Sequence, residues 1–543
     1  MRVLVVVLLF TLCVSRCAFA QSVNPAVARA ETLYADYNDA TAAIGTIEPG
    51  YAKEFGGKSL TEWKALQTQS RRDLKSELAN VPIKGLSSSD QRAVTLMKAA
   101  LAASIEDNPK TSLHCSDARR HLTYSDLRRA LYGCFEEVGN NLHFEGKKLT
   151  RGSAFGKLET LDDPAQRKAV FLAMSPLYEA INGKDEANSP YRRLIKLAAA
   201  HNDAKHASEL ASAAQTVGAT PEQVEQWLVQ ILDTWRKVSS DEQLEPWDYR
   251  YLAGAASRQL DSAISHNALQ AINARYYRDL GVDLVQLGTI YDLDPRPGKS
   301  PVAYTDFERR GREMKGQWQP TIARVLANYS SGGLGNLNEY IHENGHAAQI
   351  SAIHTRPAFI DWGDTVFVEA FADVPSWNTF DVAWQQKYLG RAASERDNLR
   401  ALYSGVMLDV AWSLFEIRML HDPKQDPNRI WTDITSRYLH IVPHPELSWW
   451  AVRGQLVDAP GYMVNYGLGA VITAELRARV REEIGPFATG NERWYPWLTQ
   501  NLLRFGAERE TSELLRNFLG HAVSPGPLLN DLQRLAPPTA AQH

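Results

Sequence analysis

The sequence predicts a mainly α-helical protein with one small β-sheet, and three observations carry that prediction. Apolar residues recur at helical spacing through most of the chain, capping signals mark several helix starts, and strand composition is confined to about residues 283–333.

Residues 1–20 stand apart. Arg2 precedes an almost unbroken apolar run over residues 3–14, and Ala18-Phe19-Ala20 supplies a small-x-small processing site. The segment reads as a signal peptide cleaved after Ala20, which assigns the remaining chain to a secreted or periplasmic location. A retained anchor is the alternative, although the run is short for a bilayer and Arg16 follows it. Cleavage removes Cys13 and Cys17. Cys115 and Cys134 remain, and in an oxidising compartment a disulfide is their natural pairing, with two reduced thiols as the alternative.

Helices follow. Asn24-Pro25 reads as a cap and a first-turn proline ahead of Val27, Ala30, Leu33, Tyr34 and Tyr37 at helical spacing. Similar patterns cover about residues 59–80 and 89–106. Thr220-Pro221-Glu222-Gln223 opens another helix, with Gln223 placed to close a capping box before an apolar stripe from Val224 to Leu232. The character then changes. Residues 284–287 and 289–291 have strand composition, residues 294–298 are turn chemistry, and residues 324–329 suggest a further strand. Residues 402–420 are apolar on nearly every side, as in a helix buried within a large helical body. The tail from Pro525, with Pro537-Pro538-Thr539, reads as irregular. No repeat or linker divides residues 21–543, so a single helical unit is the simplest account. With 59 basic and 63 acidic residues, the formal net charge of -4 gives no electrostatic case for nucleic acid or an anionic membrane as partner.

The chemistry is concentrated in His342-Glu343-Asn344-Gly345-His346. On a helix, histidines four residues apart share a face and can bind one ion, while Glu343 can reach a water on that ion without ligating it. Asn336 and Glu339 are spaced as a capping box for this helix. Gly345 is costly there, which suggests that substrate or another backbone passes close. Chance alone supplies such a motif in about one chain in fifty of this composition, so the downstream residues matter. Residues 364–373 read as a second helix with Asp364 or Thr365 near its cap. Glu369 lies 23 residues after His346, far enough for an antiparallel return, and its apolar neighbours demand a cationic partner. Asp373 falls one turn on, where it can accept a hydrogen bond from a ligating histidine and fix its tautomer. The set His342, His346 and Glu369 provides three ligands and leaves a position for water, as a catalytic zinc requires. His354 is read as outside the ligand set.

These residues resemble gluzincin zinc metallopeptidases of the angiotensin-converting-enzyme and thimet-oligopeptidase/oligoendopeptidase types. Residues 368–373 are similar to the first type. Residues 245–251, residues 291–299 and Ala327-Asn328-Tyr329 are similar to the second. The likeness covers about residues 220–470. It implies a large helical ellipsoid whose two halves enclose a deep channel, one zinc ion per chain, and oligopeptide substrates hydrolysed with Glu343 as general base. It also implies that the stretch near residues 327–330 is an edge strand for substrate backbone. Residues 461–467 resemble the segment whose tyrosine faces the metal, so Tyr462 and Tyr466 are candidate oxyanion donors; core packing is the alternative. The family's histidine before that segment is missing, and His440 and His444 are the nearest candidates. Arg453 is either a ligand for a peptide C-terminus or an ion-pair residue. A silent peptide-binding protein and a hydrolase of non-peptide amides are the competing readings, and the sequence leaves oligomeric state and endopeptidase against dipeptidyl-carboxypeptidase action open.

Overall fold

The structure, a computed structural model, describes residues 23–47, 55–106, 113–205, 208–239, 242–296, 299 and 303–536. The expected signal peptide, the end of the residue 294–298 turn and residues 537–539 of the tail lie outside the described residues, while the part of the tail expected to be irregular from Pro525 forms the helix Gly526–Gln533, with Leu528 and Leu532 buried. Helices dominate, as the periodicity predicts. Pro25–Ile47, Leu60–Asn80 and Ser88–Glu106 form the N-terminal part, and Ser59 closes a capping box with Glu62. Thr220 and Gln223 close theirs at the start of Pro221–Val238. These signals are legible because all their atoms lie within four residues.

Four helices build the centre. The motif helix, Leu334–Ala352, packs against the return helix, Thr365–Ser376. The return helix packs against the tyrosine helix, Met463–Ile484, which in turn lies on the central helix, Glu395–His421. The last is buried on nearly every side through Met407, Leu408, Val410, Ala411, Leu414 and Phe415, which is why its sequence lacks a polar face. Backbone carbonyls of the return helix are claimed from the tyrosine helix: Thr473 donates to Ala370 and the buried Arg477 donates to Val374.

The strands are more numerous and differently placed than composition suggests, and two antiparallel hairpins, Leu142–Phe144 with Lys147–Leu149 and Arg312–Met314 with Gln317–Gln319, accompany the main sheet. A three-stranded sheet has the order Ile290–Asp292, Ile322–Leu326, Tyr304–Arg309, the first pair parallel and the second antiparallel. Residues 284–287 are not a strand. Asp283 accepts from the Gln286 and Leu287 backbone amides, and Gly288 at φ 90° completes a turn. The stretch near residues 327–330 is not an edge strand either. The strand before it is the central one of the sheet, so the edges are Ile290–Asp292 and Tyr304–Arg309, and the second of these lines the cleft described below.

The N-terminal helices have a core of their own, which reaches the rest through Ala358 and Phe359. Arg356 pairs there with Glu31 and Asp90, and Arg312 pairs with Asp36 and Asp39. A Cys115–Cys134 disulfide ties a short 3-10 turn to the helix Tyr124–Gly139. Among the described residues no helix is long and apolar enough to cross a membrane.

Candidate metal centre and active site

The motif helix begins three residues earlier than a cap at Asn336 would place it. Asp261, from a distant turn, accepts from the Leu334 amide at 3.0 Å, while the Asn336 side chain donates to the Ser331 and Gly332 carbonyls. Glu339 is therefore not a capping partner; it lines a cleft of about 550 Å³. The face that meets this cleft carries Glu339, His342, Glu343 and His346, and the return helix presents Thr365, Val368 and Glu369 opposite. Gly345 lies where the two helices cross, closely enough that a β-carbon there would collide with Ala372. Another backbone, as one of the two expected reasons for this glycine, occupies that space.

The side chains converge. The His342 and His346 rings are perpendicular with centroids 4.8 Å apart. Glu369 Oε2 lies 3.5 Å from His342 Nε2 and 4.0 Å from His346 Nε2. A tetrahedral ion with bonds near 2.0–2.1 Å spaces its ligand atoms roughly 3.3–3.5 Å apart, so these three atoms fit one divalent cation after a small inward adjustment. Behind them, His342 Nδ1 lies 2.8 Å from Asp373 Oδ1, a contact that fixes the tautomer leaving Nε2 free to coordinate. His346 has no such anchor. Its Nδ1 is buried without a hydrogen-bond partner, and its ring is held edge-on by Trp362 at 5.5 Å.

Glu343 also lies within 4.8 Å of both histidines. Its carboxylate is engaged elsewhere, because the Thr305 hydroxyl is 2.7 Å from Oε2 and 2.9 Å from the Glu343 carbonyl oxygen. Burial pushes the Glu343 carboxyl up to about 7, against the pull of His342 and Thr305. Burial works the same way on Glu369, but the facing histidines and Arg453 hold it down at about 2. The two glutamates thus occupy different environments: one faces both imidazoles, and the other is aimed by a hydroxyl toward the cleft.

Tyr466 lines the cleft and Tyr462 does not. Their rings meet edge-to-face at 5.8 Å, and Tyr462 is hydrogen-bonded to Thr365. Gln455 donates to the Tyr466 hydroxyl at 3.3 Å. Arg453 stacks over the Tyr466 ring at 4.5 Å and pairs with Asp409 at 3.0 Å. The histidine candidates are elsewhere: His440 contacts the Arg236 carbonyl, and His444 is clamped between Glu245 and Glu446. His354 stacks on Trp318 and does not line the cleft.

No protein-family model and no curated protein matches the sequence. Solved structures do match it. An M32 carboxypeptidase from Deinococcus radiodurans aligns with a TM-score of 0.56 at 14% identity, covering 94% of this chain and 97% of that one. A putative oligoendopeptidase F gives 0.56 at 14%, covering 93% and 95%, and metallocarboxypeptidase 1 of Trypanosoma cruzi gives 0.51 at 13%, covering 94% and 99%. The chain has the fold of these peptidases.

Within this peptidase fold, three site residues escape sequence reading. Thr305 reaches Glu343 across 38 positions of sequence, Gln455 reaches Tyr466, and Glu339 carries a local signal that points to the wrong role. The strand composition around Thr305 was the one available hint, since an edge strand beside a helical motif is a place for backbone recognition.

Proposed function

We propose that the protein is a secreted zinc peptidase that hydrolyses oligopeptides, with His342, His346 and Glu369 as the metal ligands. The observation that carries this reading is the convergence of those side chains beside a separately oriented Glu343 in an open cleft. Zinc in such a site supplies Lewis acidity and a bound water whose pKa falls to around 7. The chain's own residues do the remainder. Ala303, Tyr304 and Thr305, at the start of the edge strand, line the cleft and offer backbone for an extended peptide. Thr305 aims Glu343 to take the proton of the attacking water and deliver it to the departing amine. Tyr466 donates to the carbonyl oxygen as negative charge develops on it, which makes Tyr466 rather than Tyr462 the oxyanion donor. Asp373 keeps His342 in its ligating tautomer.

The test is cleavage of a mixed peptide pool by zinc-loaded protein, with products read by mass spectrometry. We expect cleavage that a chelator abolishes and that Glu343→Gln lowers by at least about 10²-fold. Product lengths then separate endopeptidase from dipeptidyl-carboxypeptidase action. Peptide binding without turnover supports the silent-binder reading instead, and turnover of non-peptide amides alone supports the other hydrolase reading.

A further inference from the structure

One carboxylate in the cleft is left over. Glu369 and the two histidines face one point, Glu343 is held by Thr305, and Asp373 is bound to His342. Glu339 shares the cleft-facing side of the motif helix, one turn before His342, and has no basic residue at ion-pair distance among the described residues. No lysine or arginine lines the cleft, whose charged walls are Glu339, Glu343 and Glu369. With Asp373 counted there are four carboxyl groups; a divalent cation offsets two, and the cleft stays negative even when Glu343 holds a proton. A second observation marks the same corner. Tyr329 is 5% exposed, its hydroxyl lacks a hydrogen-bond partner at bonding distance, and it faces Glu339 and Glu343. The buried hydroxyl has the Glu339 carboxylate as the acceptor it faces, and the phenol oxygen and the rest of the carboxylate stay open to an N–H donor.

We propose that Glu339, with Tyr329 behind it, selects peptides that carry a lysine or arginine side chain beside the scissile bond. The inference rests on the peptidase reading and adds the substrate class to it. Glu339 lies one helical turn from His342, and a lysine side chain extends about as far as one turn of helix, near 5–6 Å, so a residue flanking the cut reaches it. The ammonium or guanidinium replaces solvent at Glu339 and donates to the Tyr329 oxygen. Because the field is net negative, cationic peptides are also drawn in faster, and that part of the preference weakens with salt.

The experiment uses matched peptides with lysine, norleucine or glutamate on either side of the cut, each with a free and an acetylated amino terminus. For zinc-loaded wild type we expect the kcat/KM ratio of lysine to norleucine to be about tenfold or more, unchanged by acetylation. Glu339→Gln brings the ratio to about one, and Glu339→Lys reverses the order in favour of glutamate. A wild-type ratio near one, or a ratio that survives Glu339→Gln, overturns the proposal. A preference lost on acetylation also overturns it, assigning Glu339 to a free amino terminus instead. If wild type cleaves none of the peptides, the peptidase reading fails. Calorimetric binding of the same peptides to Glu343→Gln protein, with and without Glu339→Gln, then still decides the role of Glu339 by whether lysine binds about tenfold tighter than norleucine.

Discussion

Gly345 of the motif helix lies against Ala372 of the return helix: a methyl built on Gly345 would stand 2.8 Å from the Ala372 Cα and 2.9 Å from its carbonyl oxygen. This crossing brings Glu369 over the two histidines, because Gly345 sits directly before His346 and Ala372 lies one turn after Glu369.

Gly345→Ala therefore works against its own helix propensity. The change favours the isolated helix by about 1 kcal/mol, while overpacking a rigid crossing costs about 1–3 kcal/mol. The expected result is a lower melting temperature together with reduced zinc content. A variant as stable as wild type that retains full metal would show that the crossing has slack.

Asp373→Asn tests the support behind the metal. The 2.8 Å contact orients His342 through Nδ1, and an amide in that place can present its NH₂ to the ring instead. Zinc affinity measured by chelator competition is expected to fall about 10–100-fold with the fold intact. Unchanged affinity would mean that packing alone holds the imidazole.

The tyrosines separate by position. Tyr466 lines the cleft while Tyr462 is bonded to Thr365. Tyr466→Phe is expected to lower kcat by about 10²–10³ with KM nearly constant, and Tyr462→Phe by less than about tenfold. The reverse ranking would move the oxyanion role to Tyr462.

Much of this site was legible because its signals are local. His342 and His346 share a face by helical period alone, and the spacing of Glu369 and Asp373 puts both on one face of the return helix. The caps at Thr220 and Ser59 are equally short-range. What was illegible depends on partners far away in sequence. The motif helix starts at Leu334 because Asp261 caps it, and no pattern near Asn336 reveals that. Which strands form the edges is decided by pairing order, so the family resemblance, which implies an edge strand near residues 327–330, points to the wrong element. The turn at residues 284–287 reads as a strand because its apolar side chains outweigh the signals of Asp283 and Gly288. Thr305 and Gln455 entered the site through contacts that only the folded chain creates.

Glu416 gives a pH signature away from the metal. Its buried carboxylate accepts from the Gly461 and Met463 amides at 2.8 and 2.9 Å and so fixes the start of the tyrosine helix. Burial pushes it up to about 8 despite those two donors. A carboxyl raised on folding binds its proton more tightly in the native state, so its contribution is fully present below about 4.5 and is lost as pH rises toward 8. The melting temperature of Glu416→Gln minus that of wild type is expected to increase steadily from about pH 5 to pH 8. A difference that is flat or falls with pH would contradict this.

We propose above that one zinc ion is held by two helices through His342, His346 and Glu369, leaving Glu343 free of the metal. Anomalous diffraction at the zinc edge, on crystals of the zinc-loaded protein, tests it most directly. The expected result is a single peak within about 2.0–2.2 Å of His342 Nε2, His346 Nε2 and a Glu369 oxygen, with Glu343 outside bonding distance. A peak bonded to Glu343 in place of Glu369, or no peak between these helices, would contradict it.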